Sequence, residues 1–185
     1  MFFPIDRRPC CFLVAVAAAF LLLGCDRATK DPHQPGTLIG TFRLDADRKA
    51  NTCGEGALGS TAKWSFDVTL SRGEGELFWD NGVELIPGTL EADDKTFSFD
   101  TGVIVNMRDA NSPKGLPPCS LARFDQANGV LAADDASLTG ALAYDFAPTQ
   151  GSDCSDLVSG VMPSFATLPC GMSYGLVGTR TSTTP

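Results

Sequence analysis

The chain has 185 residues, 43% hydrophobic and 19% charged, with 14 Lys and Arg against 22 Asp and Glu for a net charge of −8. An acidic chain without a basic run lacks the electrostatic footprint that nucleic acid or an anionic membrane surface requires. A single histidine, His33, leaves no nucleophile–His pair for hydrolytic catalysis and no His-based metal set.

Arg7 and Arg8 precede twelve uncharged apolar residues, Phe12 to Leu23. A membrane-crossing helix needs about 20 such residues, so this run is too short to span. A basic start, a short apolar middle and small residues at the exit describe a secretory signal peptide over residues 1–24. The exit, Leu22-Leu23-Gly24-Cys25, resembles the lipobox of bacterial lipoproteins. That resemblance covers residues 1–25 and implies that Cys25 is the lipidation site. Its thiol would carry diacylglycerol, the peptide would be cut before it, and the new amine would take a further chain such as palmitate. Each buried methylene contributes about 0.8 kcal/mol, and several chains anchor stably where one is marginal. The implied partner is therefore the lipid bilayer, and the protein is expected to be exported and membrane-anchored. Asp26 resembles the residue that retains such proteins at the periplasmic face of the inner membrane; the outer membrane or cell surface is the alternative.

Loss of Arg7, Arg8 and Asp6 with the signal moves the net charge to −9. Residues 25–36 hold the lipidated Cys and DRATKDPHQPG, a flexible tether of Pro, Gly and charge without apolar period. Residues 37–181 then form one domain, with 182–185 as a disordered tail. Period-two alternation marks strands near 37–47, 62–71, 75–80, 83–91, 95–107, 119–132, 137–147 and 170–181. In the second, Trp64, Phe66, Val68 and Leu70 share a face; in the fifth, Phe97, Phe99, Val103, Val105 and Met107 do. In the seventh, Leu138, Leu142, Tyr144 and Phe146 share one. Asp80-Asn81-Gly82 is a tight hairpin signal. Gly40, Gly88, Gly129, Gly140 and Gly178 recur inside strands, where they permit strong coiling.

One-sided sheets of this size escape exposed edges by closing, so the expected fold is all-β, an up-and-down lipocalin-like barrel, with a β-sandwich as the alternative. In the up-and-down topology the long connections 48–61, 108–118 and 148–169 gather at one end. Cys53, Cys119, Cys154 and Cys170, the cysteines left after the signal and Cys25, lie in or beside them. Strand neighbourhood favours Cys53–Cys170 and Cys119–Cys154; Cys154–Cys170 with Cys53–Cys119 is the other pairing considered, and three connectivities are formally open.

Asp93-Asp94 and Asp134-Asp135 sit in short turns, where Asp suits the backbone and could bind Ca²⁺ only if the turns converged. Arg43 and Arg123 project from strands among apolar neighbours, each either a surface residue or paired with a carboxylate such as Asp125. No metal and no cofactor is expected. Trp64, Phe66, Phe97, Phe99, Tyr144 and Phe146 either fill the barrel or line a lipocalin-like cavity for a small apolar ligand. The domain also resembles the small, Cys-paired, β-rich lipoproteins of GC-rich bacteria, a likeness that supplies no activity. The functional expectation is a non-enzymatic binding module for an apolar ligand or an envelope protein. A purely structural filled barrel is the alternative, and an enzyme comes after both.

Overall fold

The alternation of apolar and polar residues becomes geometry in the computed structural model, which describes residues 35–57, 59–110 and 115–184. The signal peptide, Cys25 and the tether through residue 34 lie outside the described residues. Eight strands follow in chain order: β1 (Thr37–Asn51), β2 (Lys63–Arg72), β3 (Glu76–Asp80), β4 (Leu85–Leu90), β5 (Thr96–Arg108), β6 (Cys119–Leu131), β7 (Ser137–Pro148) and β8 (Cys170–Ser182). Each is antiparallel to its sequence neighbours and β8 returns to β1, so the sheet closes as an up-and-down barrel and not as a sandwich. The one helical segment among the described residues is a 3₁₀ turn, Ser155–Val158.

Side chains of one parity point inward and form the core. Phe42, Leu44, Leu70, Leu77, Phe97, Leu131, Leu138 and Leu176 are all buried, and they fill the end of the barrel that carries the short turns 73–75, 91–95 and 132–136. This end is the floor. Two glycines explain how the wall coils there. Gly129 and Gly140 are partners across β6 and β7. A Cβ on Gly140 would stand 2.2 Å from the Asn128 carbonyl oxygen, and one on Gly129 2.5 Å from that of Thr139. Bare backbone is therefore what lets the two strands approach.

β1 runs on to Asn51 instead of ending near residue 47. β8 continues to offer partners as far as Met172, which pairs with Asn51 after an irregularity between Arg48 and Ala50. The fifth strand departs from expectation in a second way. Val103 and Met107 share parity with the buried Phe97 and Phe99, yet they are 50% and 40% exposed. The cause lies in β4, which pairs with β5 only at Thr89–Ser98 and Leu90–Phe97. β3 likewise reaches β2 only between Thr69 and Arg72. Toward the other end, residues 63–68 of β2 and 99–108 of β5 have no strand paired to them on these sides, and the wall is open.

Pro87 accounts for the stop. The Leu90 amide donates to Gly75 on the β3 side, and the Glu91 amide donates to Thr96 on the β5 side. Amides alternate along a strand, so position 87 should donate toward β5, and proline has no N–H to give.

The end opposite the floor is the mouth, covered by residues 52–57, 59–62, 109–110, 115–118 and 149–169. Two disulfides tie it: Cys53–Cys170, with S–S 2.04 Å, joins the end of β1 to the start of β8. Cys119–Cys154, with S–S 2.01 Å, joins the start of β6 to the loop after β7. Arg108 adds a third tie. Its Nε donates to the Pro117 carbonyl at 2.7 Å, its Nη2 to that of Asp153 at 2.7 Å, and its Nη1 to Asp156.

Candidate functional site

The interior is packed at the floor and hollow above it. Trp64 and Phe66 on β2, Trp79 on β3, Ile86 on β4, Phe99 on β5, and Leu142 and Tyr144 on β7 line a cavity of about 310 Å³. Asp67, Asn81 and Thr101 complete the lining along the missing stretch of wall, so the cavity reaches solvent sideways between β2 and β5. Its volume falls at the lower end of the range for small-molecule sites, about 300–1,000 Å³. Two further hollows continue toward the mouth. One, of about 210 Å³, touches Gly59, Thr61 and Phe146; the other, of about 340 Å³, touches Val105, Met107 and Phe165. Arg123 lines all three.

The rings are arranged in contact. Trp64 stacks on Phe66 with centroids 4.4 Å apart, and Trp79 meets Phe99 edge-on at 5.4 Å. Tyr174, buried between Trp64 and Tyr144, packs edge-on to both at 6.2 and 6.0 Å and donates its hydroxyl to the Gly59 carbonyl. Such pairs contribute about 0.5–1.5 kcal/mol beyond area burial, which holds the cavity wall rigid. The Trp64 indole N–H is buried without a hydrogen-bond partner among the described residues.

On β6 an ion pair joins this lining. Arg123 and Asp125 occupy the inward parity of β6, with their side chains 31% and 16% exposed. Nε of Arg123 donates to Oδ1 of Asp125 at 2.6 Å, and Nη2 donates to Oδ2. The guanidinium also lies 5.3 Å from the centre of the Tyr144 ring. The hydrogen bond to Asp125 raises the pKa of Arg123 despite the cost of burial. Burial, with the Asp125 carboxylate nearby, pushes the Tyr144 phenol up to about 12. At neutral pH the site therefore presents a closed ion pair and a neutral phenol.

Of the residues that alternation placed on the apolar face, Trp64, Phe66, Phe99 and Tyr144 come together around the main cavity, and Phe146 lines the hollows nearer the mouth. Phe97 does not join them. It is 1% exposed in the floor, beneath Phe99, and serves packing. Trp79 and Ile86 belong to the site and were not among the candidates; Arg123, with Asp125 as its candidate partner, was, but without a place in the cavity. Their parity was available: Leu121, Ala127 and Leu131 on the same strand are buried, so residues 123 and 125 must also face in.

The remaining candidates are structural. Arg43 is a surface residue bonded to Asp67 at 3.1 Å. Asp93 accepts hydrogen bonds from the Lys95 and Thr96 amides and the Thr96 hydroxyl, shaping its own turn. Asp135 takes Arg72 at 3.2 Å and Lys95 at 2.9 Å across the floor. Among the described residues no three His, Cys, Asp or Glu side chains converge on a metal position. The fold and site thus define a closed eight-stranded barrel, half filled, with a ring-lined cavity opening through its side. Comparison of the chain with protein-family models, with curated proteins and with solved structures finds no match.

Proposed function

We propose that this is a membrane-anchored envelope lipoprotein whose barrel is a non-enzymatic binding module for a small apolar ligand. The observation that carries the reading is the side-opening cavity walled by Trp64, Phe66, Trp79, Phe99 and Tyr144 in a barrel whose floor is otherwise packed. A barrel serving architecture alone gains nothing from leaving such rings around a void, since unfilled space forfeits dispersion contacts. The Leu22-Leu23-Gly24-Cys25 sequence supports the lipid anchor, and Asp26 favours the periplasmic face of the inner membrane over the outer membrane. The tether meets the domain at the floor end of β1, so the mouth would point away from the bilayer.

Both tryptophans of the chain line the cavity, which makes intrinsic fluorescence a direct reporter. Titration of the mature protein with the neutral probe N-phenyl-1-naphthylamine should quench the tryptophans and saturate at one equivalent. Unchanged tryptophan emission, with no probe retained on gel filtration, would remove the ligand-binding reading. A second reading, contact with an envelope protein, is favoured by Val161 and Met162, which stand 100% and 92% exposed on the mouth segment. Cross-linking in intact cells from a photoreactive residue at position 162 tests it.

A further inference from the structure

Arg123 uses two of its three guanidinium nitrogens on Asp125, and its Nη1 has no partner among the described residues. The Tyr144 hydroxyl likewise makes no hydrogen bond there, whereas that of Tyr174 is satisfied by Gly59. Both groups line the main cavity and the hollow next to it. Both atoms remain accessible from the cavity, since the fully buried side-chain donors without a partner among the described residues are Trp64 Nε1 and Arg72 Nε, and a ligand acceptor that replaces water there gains a charge-assisted hydrogen bond at Nη1.

We propose that Arg123 and Tyr144 form the polar end of the cavity and select a neutral, planar ligand carrying a hydrogen-bond acceptor such as a carbonyl oxygen. This deepens the binding reading above and rests on it. Planarity follows from the walls, which are ring faces and edges suited to offset or edge-on packing with a flat ligand. The acceptor follows from the two donors. Neutrality follows from the charges already present. An anion reaching Nη1 would also meet the Asp125 carboxylate bonded to the same guanidinium, and it would be desolvated against that like charge. A cation would seek the ring faces, but Arg123 already lies over Tyr144 and repels it.

The test uses four probes with one ring system: naphthalene, 2-acetonaphthone, 2-naphthoate and 2-naphthyltrimethylammonium. Each is titrated into the mature protein with tryptophan quenching as the readout. The ketone is expected to bind about tenfold tighter than naphthalene, as one hydrogen bond to a charged donor provides. Naphthoate and the ammonium should bind more weakly than the ketone. Tyr144→Phe keeps the ring and should cut the preference for the ketone by about threefold. The double variant Arg123→Met with Asp125→Leu removes both charges together and should bind naphthalene and the ketone equally. If that variant does not fold, Tyr144→Phe decides alone, because it removes a single unbonded oxygen. Equal affinity of the native protein for naphthalene and the ketone would overturn the selection while leaving the apolar site standing. Tightest binding of naphthoate or of the ammonium would overturn it in favour of a charged ligand. Failure of all four probes would instead remove the binding reading itself.

Discussion

Thr89 pairs with Ser98, and beyond that pair β5 has no neighbour on its β4 side. The barrel is closed below and cut away above, and this one relationship both exposes Val103 and Met107 and gives the cavity its door. Pro87 holds the door open, because it stands where the next amide would donate to β5.

Pro87→Val should therefore lengthen the β4–β5 ladder toward the mouth. The expected outcome is slower hydrogen exchange along residues 99–102 of β5 and slower association of N-phenyl-1-naphthylamine in stopped flow. Unchanged exchange in that segment would show that proline is not what ends the pairing.

Ala127 lines the cavity and Gly129, two residues on, lies in the floor wall, so the same strand offers a paired test of hollow against packed interior. Ala127→Phe should abolish probe binding at little cost in stability, because the added ring enters open space. Gly129→Ala places a Cβ 2.7 Å from Phe97 Cζ as well as against Thr139, and should cost about 1–3 kcal/mol, as overpacking does. Urea unfolding followed by circular dichroism measures both.

The two disulfides should contribute unequally. Cys53–Cys170 closes a separation of 117 residues and Cys119–Cys154 one of 35. In the chain-entropy account the longer loop stabilises by about 1 kcal/mol more. Replacing Cys53 and Cys170 together by Ser should accordingly lower the unfolding free energy further than replacing Cys119 and Cys154.

Acid should weaken the floor through Asp93. The Thr96 hydroxyl, then the Thr96 and Lys95 amides, hydrogen-bond its carboxylate and bring its pKa down to about 2, below the ordinary Asp value of 3.8. A group depressed in the folded state contributes stability above its unfolded pKa and loses it as pH falls through the folded one. Native protein should thus lose stability between about pH 4 and pH 2, and Asp93→Asn should flatten that part of the profile. Thermal melts across this range provide the comparison.

Anchoring is checked independently of the fold. Cells given labelled palmitate should incorporate it into the native protein, and Cys25→Ser should abolish the label and release the protein from membranes. Retention of label in the Ser variant would overturn the lipid assignment.

Much of the architecture was legible because the barrel obeys one rule, alternation, in nearly every strand. The faces Trp64–Leu70 and Leu138–Phe146 could be read directly, and neighbourhood of β1 with β8 and of β6 with β7 brings together the cysteines that are bonded. What alternation could not convey is how far a strand is covered. Val103 has the same parity as Phe97 but lacks a facing wall, and the sign of that was Pro87, a residue suited to a strand edge. Arg123 and Asp125 were ambiguous for a related reason. Charge argues for the surface, parity argues for the interior, and only their mutual bond lets parity prevail.

The Cys53–Cys170 bond closes the chain from β2 to β7 into a covalent circle, with Cys119–Cys154 as a smaller circle inside it. A protease that nicks an exposed turn such as the one at Gly75 would leave both fragments attached and the wall still closed around its cavity. A single backbone cut between residues 53 and 170 would become visible only after reduction.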